Sequence, residues 1–165
     1  MPRERCDRGR TVSIGKREGV FHVGCWAHIR RKFHHLADTG PQAAGTVAVR
    51  MIGALYRIED KFRALLAKEL ISEGEFTDLR QEKAAEVFGQ IKEWLLEMAK
   101  AVAPKSPLGL AVSYALGQFE VAIRYVEHYM LTPDNNLVEN AIRPFVIGRN
   151  YAQLVFMLSD SQRAA

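Results

Sequence analysis

Four polar residues near the end of the chain fall on one face of a short helix. Asn136, Glu139, Asn140 and Arg143 stand at i, i+3, i+4 and i+7, which makes them neighbours on a helix surface. Leu137, Val138, Ala141 and Ile142 occupy the other side and can anchor it to a core. The polar face therefore offers one carboxylate flanked by two amides and a guanidinium. A carboxylate is a natural ligand for Mg²⁺, and phosphoryl-transfer sites combine such ligands with amide and cationic groups that position phosphates. The same spacing also describes the solvated side of any amphipathic helix, so spacing alone leaves both readings open.

A second group lies far upstream. Cys25 and His28 form a C-x-x-H pair, with Cys6, His22, His34 and His35 nearby in sequence. A closed zinc site needs four ligands, usually from two paired motifs, and a second pair is missing. The plainer expectation is that Cys25 and Trp26 pack into a core while His28 makes a hydrogen bond. Arg30, Arg31 and Lys32, beside His28, His34 and His35, make a basic helix flanked by Trp26 and Phe33. Such a surface neutralises phosphates without reading sequence, although a charge run is also the ordinary solvated face of a helix.

The elements that must position these groups are mostly helical. Val20-Phe21-His22-Val23, between Gly19 and Gly24, reads as a short strand, and Thr39-Gly40-Pro41 closes the unit that follows it. Val47, Met51, Ile52, Leu55, Ile58, Phe62, Leu65, Leu66 and Leu70 recur every three or four residues, as one buried helical stripe does. The stripe stops near Ser72-Glu73-Gly74. A second helix is expected from Thr77 or Asp78, carrying Leu79, Val87, Ile91, Trp94, Leu95, Met98 and Val102, with Gly89 as a weak point inside it. Ser106 can cap a third, and Pro107 suits its first position. That helix puts Leu108, Val112, Ala115, Leu116, Phe119, Ile123 and Val126 on one side. Helices of this length with short loops make an antiparallel bundle. Thr132-Pro133-Asp134 is then a turn into the short polar helix, which Pro144 stops.

Composition narrows the class. The 165 residues suffice for one core, and a charged fraction of 25% is ordinary for a globular chain. The net charge of +4 is unevenly placed. Residues 1–35 hold nine Arg and Lys against three Asp and Glu, whereas the rest hold fourteen against sixteen. The basic character is therefore local to the amino end. No run approaches the roughly twenty apolar residues of a membrane helix, no apolar stretch follows the basic start as in a secretory signal, and two cysteines supply no disulfide framework. A cytoplasmic protein is expected.

Three stretches carry a resemblance. Asn135-Asn136-Leu137-Val138-Glu139-Asn140-Ala141-Ile142-Arg143-Pro144 and the following Phe145 to Arg149 resemble the closing motif of transposases of insertion-sequence family sixty-six. Gly24-Cys25-Trp26-Ala27-His28-Ile29-Arg30-Arg31-Lys32-Phe33 resembles a second motif of that family, and Lys105 to Gly109 followed by Ala115-Leu116 fits the stretch between them. The resemblance implies a DDE-type transposase on an RNase H-like fold, in which two aspartates and one glutamate hold two divalent metals, Mg²⁺ or Mn²⁺, for strand cleavage and transfer. Glu139 matches the glutamate and is the implied catalytic and metal-ligating residue, with Asn136 and Asn140 supporting it. His28, Arg30, Arg31, Lys32, Arg143 and Arg149 are the implied DNA contacts. The implied partners are the DNA of the transposon ends and a second copy of the protein, in a bacterial cytoplasm at the nucleoid.

The departure lies upstream. The family's two aspartates precede the Cys-Trp-Ala-His motif, where this sequence has Asp7 as its sole aspartate, without an apolar strand before it. One glutamate cannot fix two ions. The expectation is a carboxy-terminal part of a transposase, inactive alone. It is mainly α: a leader over 1–19, a strand plus basic helix over 20–38 from a partial RNase H-like core, a helical insertion over 43–130, and a final core helix and tail over 131–165. The alternative is a non-catalytic helical module that binds nucleic acid or a protein.

Overall fold

Amphipathic helices are stabilised mainly by packing their apolar faces, and here those stripes meet in one core. The computed structural model describes residues 22–37 and 43–134. Four helices, α1 (Trp26–His34), α2 (Ala44–Ala67), α3 (Glu73–Ala101) and α4 (Pro107–Ala122), are followed by a 3-10 helix over Ile123–Glu127. In ring order, α2 packs on α1 and α3, and α4 packs on α3 and α1. The short connections 68–72 and 102–106 turn the chain back on itself each time, as in bundles. Trp26, Ile29 and Phe33 of α1 share one buried cluster with Ile52 and Leu55 of α2, Ile91 and Leu95 of α3, and Val112 and Phe119 of α4. At its centre Trp26 stacks on Phe88 at 6.0 Å and meets the edge of Phe119 at 5.9 Å.

Several boundaries differ from the sequence reading. α3 begins at Glu73, ahead of Thr77, because Ser72-Glu73-Gly74-Glu75 is a helix start and not a stop. The Ser72 hydroxyl accepts from the Glu75 N–H, and the Glu75 carboxylate accepts from the Ser72 N–H at 2.8 Å, the reciprocal arrangement of a capping box. Leu70, expected on the buried stripe, is 66% exposed, since α2 has already ended at Ala67. Gly89 does not interrupt α3. α4 starts where Ser106 and Pro107 place it, but tightens into the 3-10 turn at Ile123.

The expected strand falls partly outside the described residues, and its described part, His22 and Val23, is not in a strand. No strand occurs among the described residues, so none is present there to pair with it. The Gly24 N–H bonds instead to the Val121 carbonyl of α4 at 2.8 Å. A Cβ at Gly24 would stand 2.9 Å from the Ala122 nitrogen, so this approach of backbone to backbone requires glycine. Gly45 plays the same part between α1 and α2, where a Cβ would come within 2.4 Å of the Leu36 carbonyl carbon.

Candidate nucleic-acid interface

α1 divides cleanly by face. Trp26, Ile29 and Phe33, at i, i+3 and i+7, are buried, and this anchors the helix without help from a side-chain cap. Arg30, Arg31, Lys32, His34 and His35 are left exposed on the other faces. Arg31, Lys32 and His34 fall in the last turn, where positive charge complements the helix dipole. The Lys32 ammonium lies 5.2 Å from the Tyr114 ring centre on α4, a cation–π contact that holds it against the bundle.

Beside this helix lies a recess of about 380 Å³, lined by Arg30, Arg31, His34 and His35 with Tyr56 of α2 and Asp134. Burial, reinforced by the charge of Asp134 and by Cys25 and opposed by Arg30, holds the Tyr56 phenol well above its usual range. Tyr56 is therefore a neutral hydroxyl at pH 7. Two guanidinium groups against a single carboxylate suit an anion such as a phosphate, and the two imidazoles can add hydrogen bonds to it. Among the described residues, no three His, Cys, Asp or Glu side chains converge to hold a metal ion. Cys25 is a half-buried free thiol, Trp26 is in the core, and His28 is half-buried. Asn136, Glu139, Asn140, Arg143 and Arg149 lie outside the described residues, as do Asp7 and the chain upstream of His22.

The approach to Glu139 is nevertheless described as far as Asp134, and it is held firmly. The Trp26 N–H, at the start of α1, donates to the Pro133 carbonyl at 2.8 Å. The first motif is thus tied to the turn at Pro133, and Asp134, the last described residue before the second motif, helps to line the cationic recess.

Two arginines, Arg80 buried and Arg63 partly exposed, hold the preceding segment. Arg80 of α3 is fully buried; it donates to the His128 carbonyl at 2.8 Å, to the Leu131 carbonyl at 2.9 Å, and to both oxygens of Glu59. Arg63 of α2 donates to Glu59 at 2.6 Å and to the carbonyls of Tyr129 and Leu131. The Arg80 guanidinium also lies 4.6 Å from the Phe76 ring centre and 5.4 Å from that of Tyr125. Burial draws Arg80 below its usual pKa, while Glu59 pulls the other way. Sequence reasoning misses this trio. The available signal is that Glu59 falls between Leu55 and Phe62 on the buried side of α2, and Arg80 between Phe76 and Ala84 on that of α3, so the two charged residues are opposite in sign and both on core faces.

The fold and this recess define a mainly helical module with a cationic face beside Asp134. Residues 11–163 match the family described as Transposase IS66 family, and the chain belongs to that family. Similar proteins from Sinorhizobium fredii (strain NBRC 101917 / NGR234) are uncharacterized protein y4qI, 38% identical over 84% of this chain and 24% of its own length, and uncharacterized protein y4hP, 28% identical over 93% of this chain and 28% of its own. Uncharacterized protein y4jD is 24% identical over 79% of this chain and 24% of its own length. The chain spans about a quarter of the length of these curated relatives. No solved structure matches it. Among the described residues, no helix is long and apolar enough to cross a membrane.

Proposed function

We propose that this chain contributes the glutamate and part of the DNA-holding surface of a DDE transposase. The observation that carries the reading is the hydrogen bond from Trp26 to Pro133. It ties the basic helix to the segment that leads into the motif of Glu139, so phosphate-binding cations and the acidic residue serve one place. Divalent metal, which the family's carboxylates hold, supplies activation of the attacking oxygen and stabilisation of the leaving one. Glu139 is the residue of this chain that matches such a ligand. Arg30, Arg31, His34 and His35 hold the DNA backbone by charge, and Tyr56 adds a neutral donor to the same recess. In the proposed role His28, Arg143 and Arg149 extend that contact, and Asn136 and Asn140 support Glu139.

Strand cleavage and transfer belong to the whole protein. One glutamate does not hold two ions, so this chain incubated with Mg²⁺ or Mn²⁺ cleaves DNA no faster than background. In a full-length relative, Gln in place of the glutamate matching Glu139 abolishes strand transfer and leaves DNA binding intact. Normal transfer by that variant removes Glu139 from the site.

A further inference from the structure

α2 carries a second set of cations that the recess beside α1 does not use. Arg50, Arg57, Lys61 and Lys68 follow one another at intervals of seven, four and seven residues. These intervals are close to whole numbers of helical turns, so the four positions fall within about 20° of one line along the helix. All four are exposed. From first to last the row is about 27 Å long. The carboxylates of α2 stay off it: Glu59 points the opposite way, into the core, where Arg63 and Arg80 engage it, and Asp60 sits about 80° round the helix. Beside the row a groove of about 480 Å³ brings Arg57 and Lys61 together with Lys83 of α3, against Glu86 in its lining and Glu82, which pairs with Lys83 at 2.7 Å.

We infer that this outer face of α2 is a second track for the phosphate backbone of duplex DNA, separate from the recess beside α1. The inference rests on the reading of the chain as a DNA-handling part of a transposase and extends it to a new surface. A straight row of long cationic side chains neutralises successive phosphates without reading bases. Phe62, the one ring that lines the groove, is buried, so nothing is offered for a base to stack on, as single strands require. None of the large apolar side chains that stand exposed lies on α2, which disfavours a membrane surface. Tyr56, which lines the recess, is about 120° round α2 from the row, so the two surfaces face different directions.

The experiment measures binding of the chain to a labelled duplex as a function of salt. Replacing Arg57, Lys61 and Lys68 with Ala lowers the slope of log affinity against log salt by about two to three units. The same number of alanines at Arg30, Arg31 and Lys32 tests the recess, and a third triple at Lys92, Lys100 and Lys105, on α3 and the loop after it, controls for net charge. All nine residues are exposed, and thermal melts confirm that each variant folds. If the α2 triple keeps the slope of the unaltered chain, the track is overturned, whatever the α1 triple does. If the α1 triple alone keeps it, the recess reading fails and the track stands. A control triple that lowers the slope as far as the α2 triple also overturns the track, because the effect is then one of net charge. Neither reading survives an unaltered chain without salt-dependent binding, or an acidic peptide that competes as well as duplex.

Discussion

A fully buried guanidinium is tolerable only if most of its donors are answered, and Arg80 shows what that takes: a carboxylate, two backbone carbonyls and two aromatic faces, with its Nε left without a hydrogen-bond partner. Such a group adds little to stability compared with an apolar side chain of its size, but removing Arg80 leaves the buried Glu59 with Arg63 alone and the carbonyls of His128 and Leu131 short of a donor. Arg80→Met therefore destabilises the fold by about 3 kcal/mol in urea unfolding. Pairing it with Glu59→Leu costs clearly less than the sum of the two single changes, because the stranded charge is gone. Additive losses would show that the pair is not coupled. Neither residue stands out in the sequence, because Arg and Glu inside an amphipathic helix are by default on its wet side. Only the burial of both stripes against each other turns two solvated charges into one internal pair.

At the scale of elements, the helices are legible from periodicity, and of the two joints between the long ones only that before α4 is. α4 opens where a Ser-Pro step places it, the Ser106 hydroxyl accepting from the Gly109 N–H at 3.0 Å, since cap and constrained first residue are local chemistry. The joint between α2 and α3 misleads for an equally local reason. Gly74 suggests a break, yet it is the second residue of α3, and the residue that turns the chain is Glu69, at φ 55°. The Glu69 N–H donates to Leu66 and the Leu70 N–H to Leu65, the pair of bonds that defines a Schellman ending, whose left-handed position favours glycine. Glu69→Gly should raise stability by about 1 kcal/mol, since a side chain in that conformation costs about that much. A thermal midpoint that falls would mean the Glu69 side chain is worth more than the strain it brings.

At the scale of the molecule, the bundle follows from stripes that any helical wheel displays, whereas its closure depends on contacts between residues far apart in sequence. Gly24 meets Val121, Trp26 meets Pro133, and the arginines of α2 and α3 reach the carbonyls at 128–131. No periodicity encodes those meetings, and so the clasp between the first motif and the turn at Pro133 is invisible in the sequence. Gly24→Ala tests the closure directly, because its new methyl group would press on the backbone of Ala122. We expect a loss of about 1–3 kcal/mol and faster hydrogen exchange at the Trp26 amide, with the helical content kept. Exchange at Trp26 that stays slow would show that α1 moves as a unit and carries Pro133 with it.

The bond from Trp26 to Pro133 has a consequence for the order of events as the chain folds. It closes a loop of roughly a hundred residues, and the entropy of closing so long a loop is offset only once the intervening helices have docked. The helices can form early from local contacts, while this clasp has to wait for them. The described approach to Glu139, as far as Asp134, is thus the last part of the described chain to be set in place.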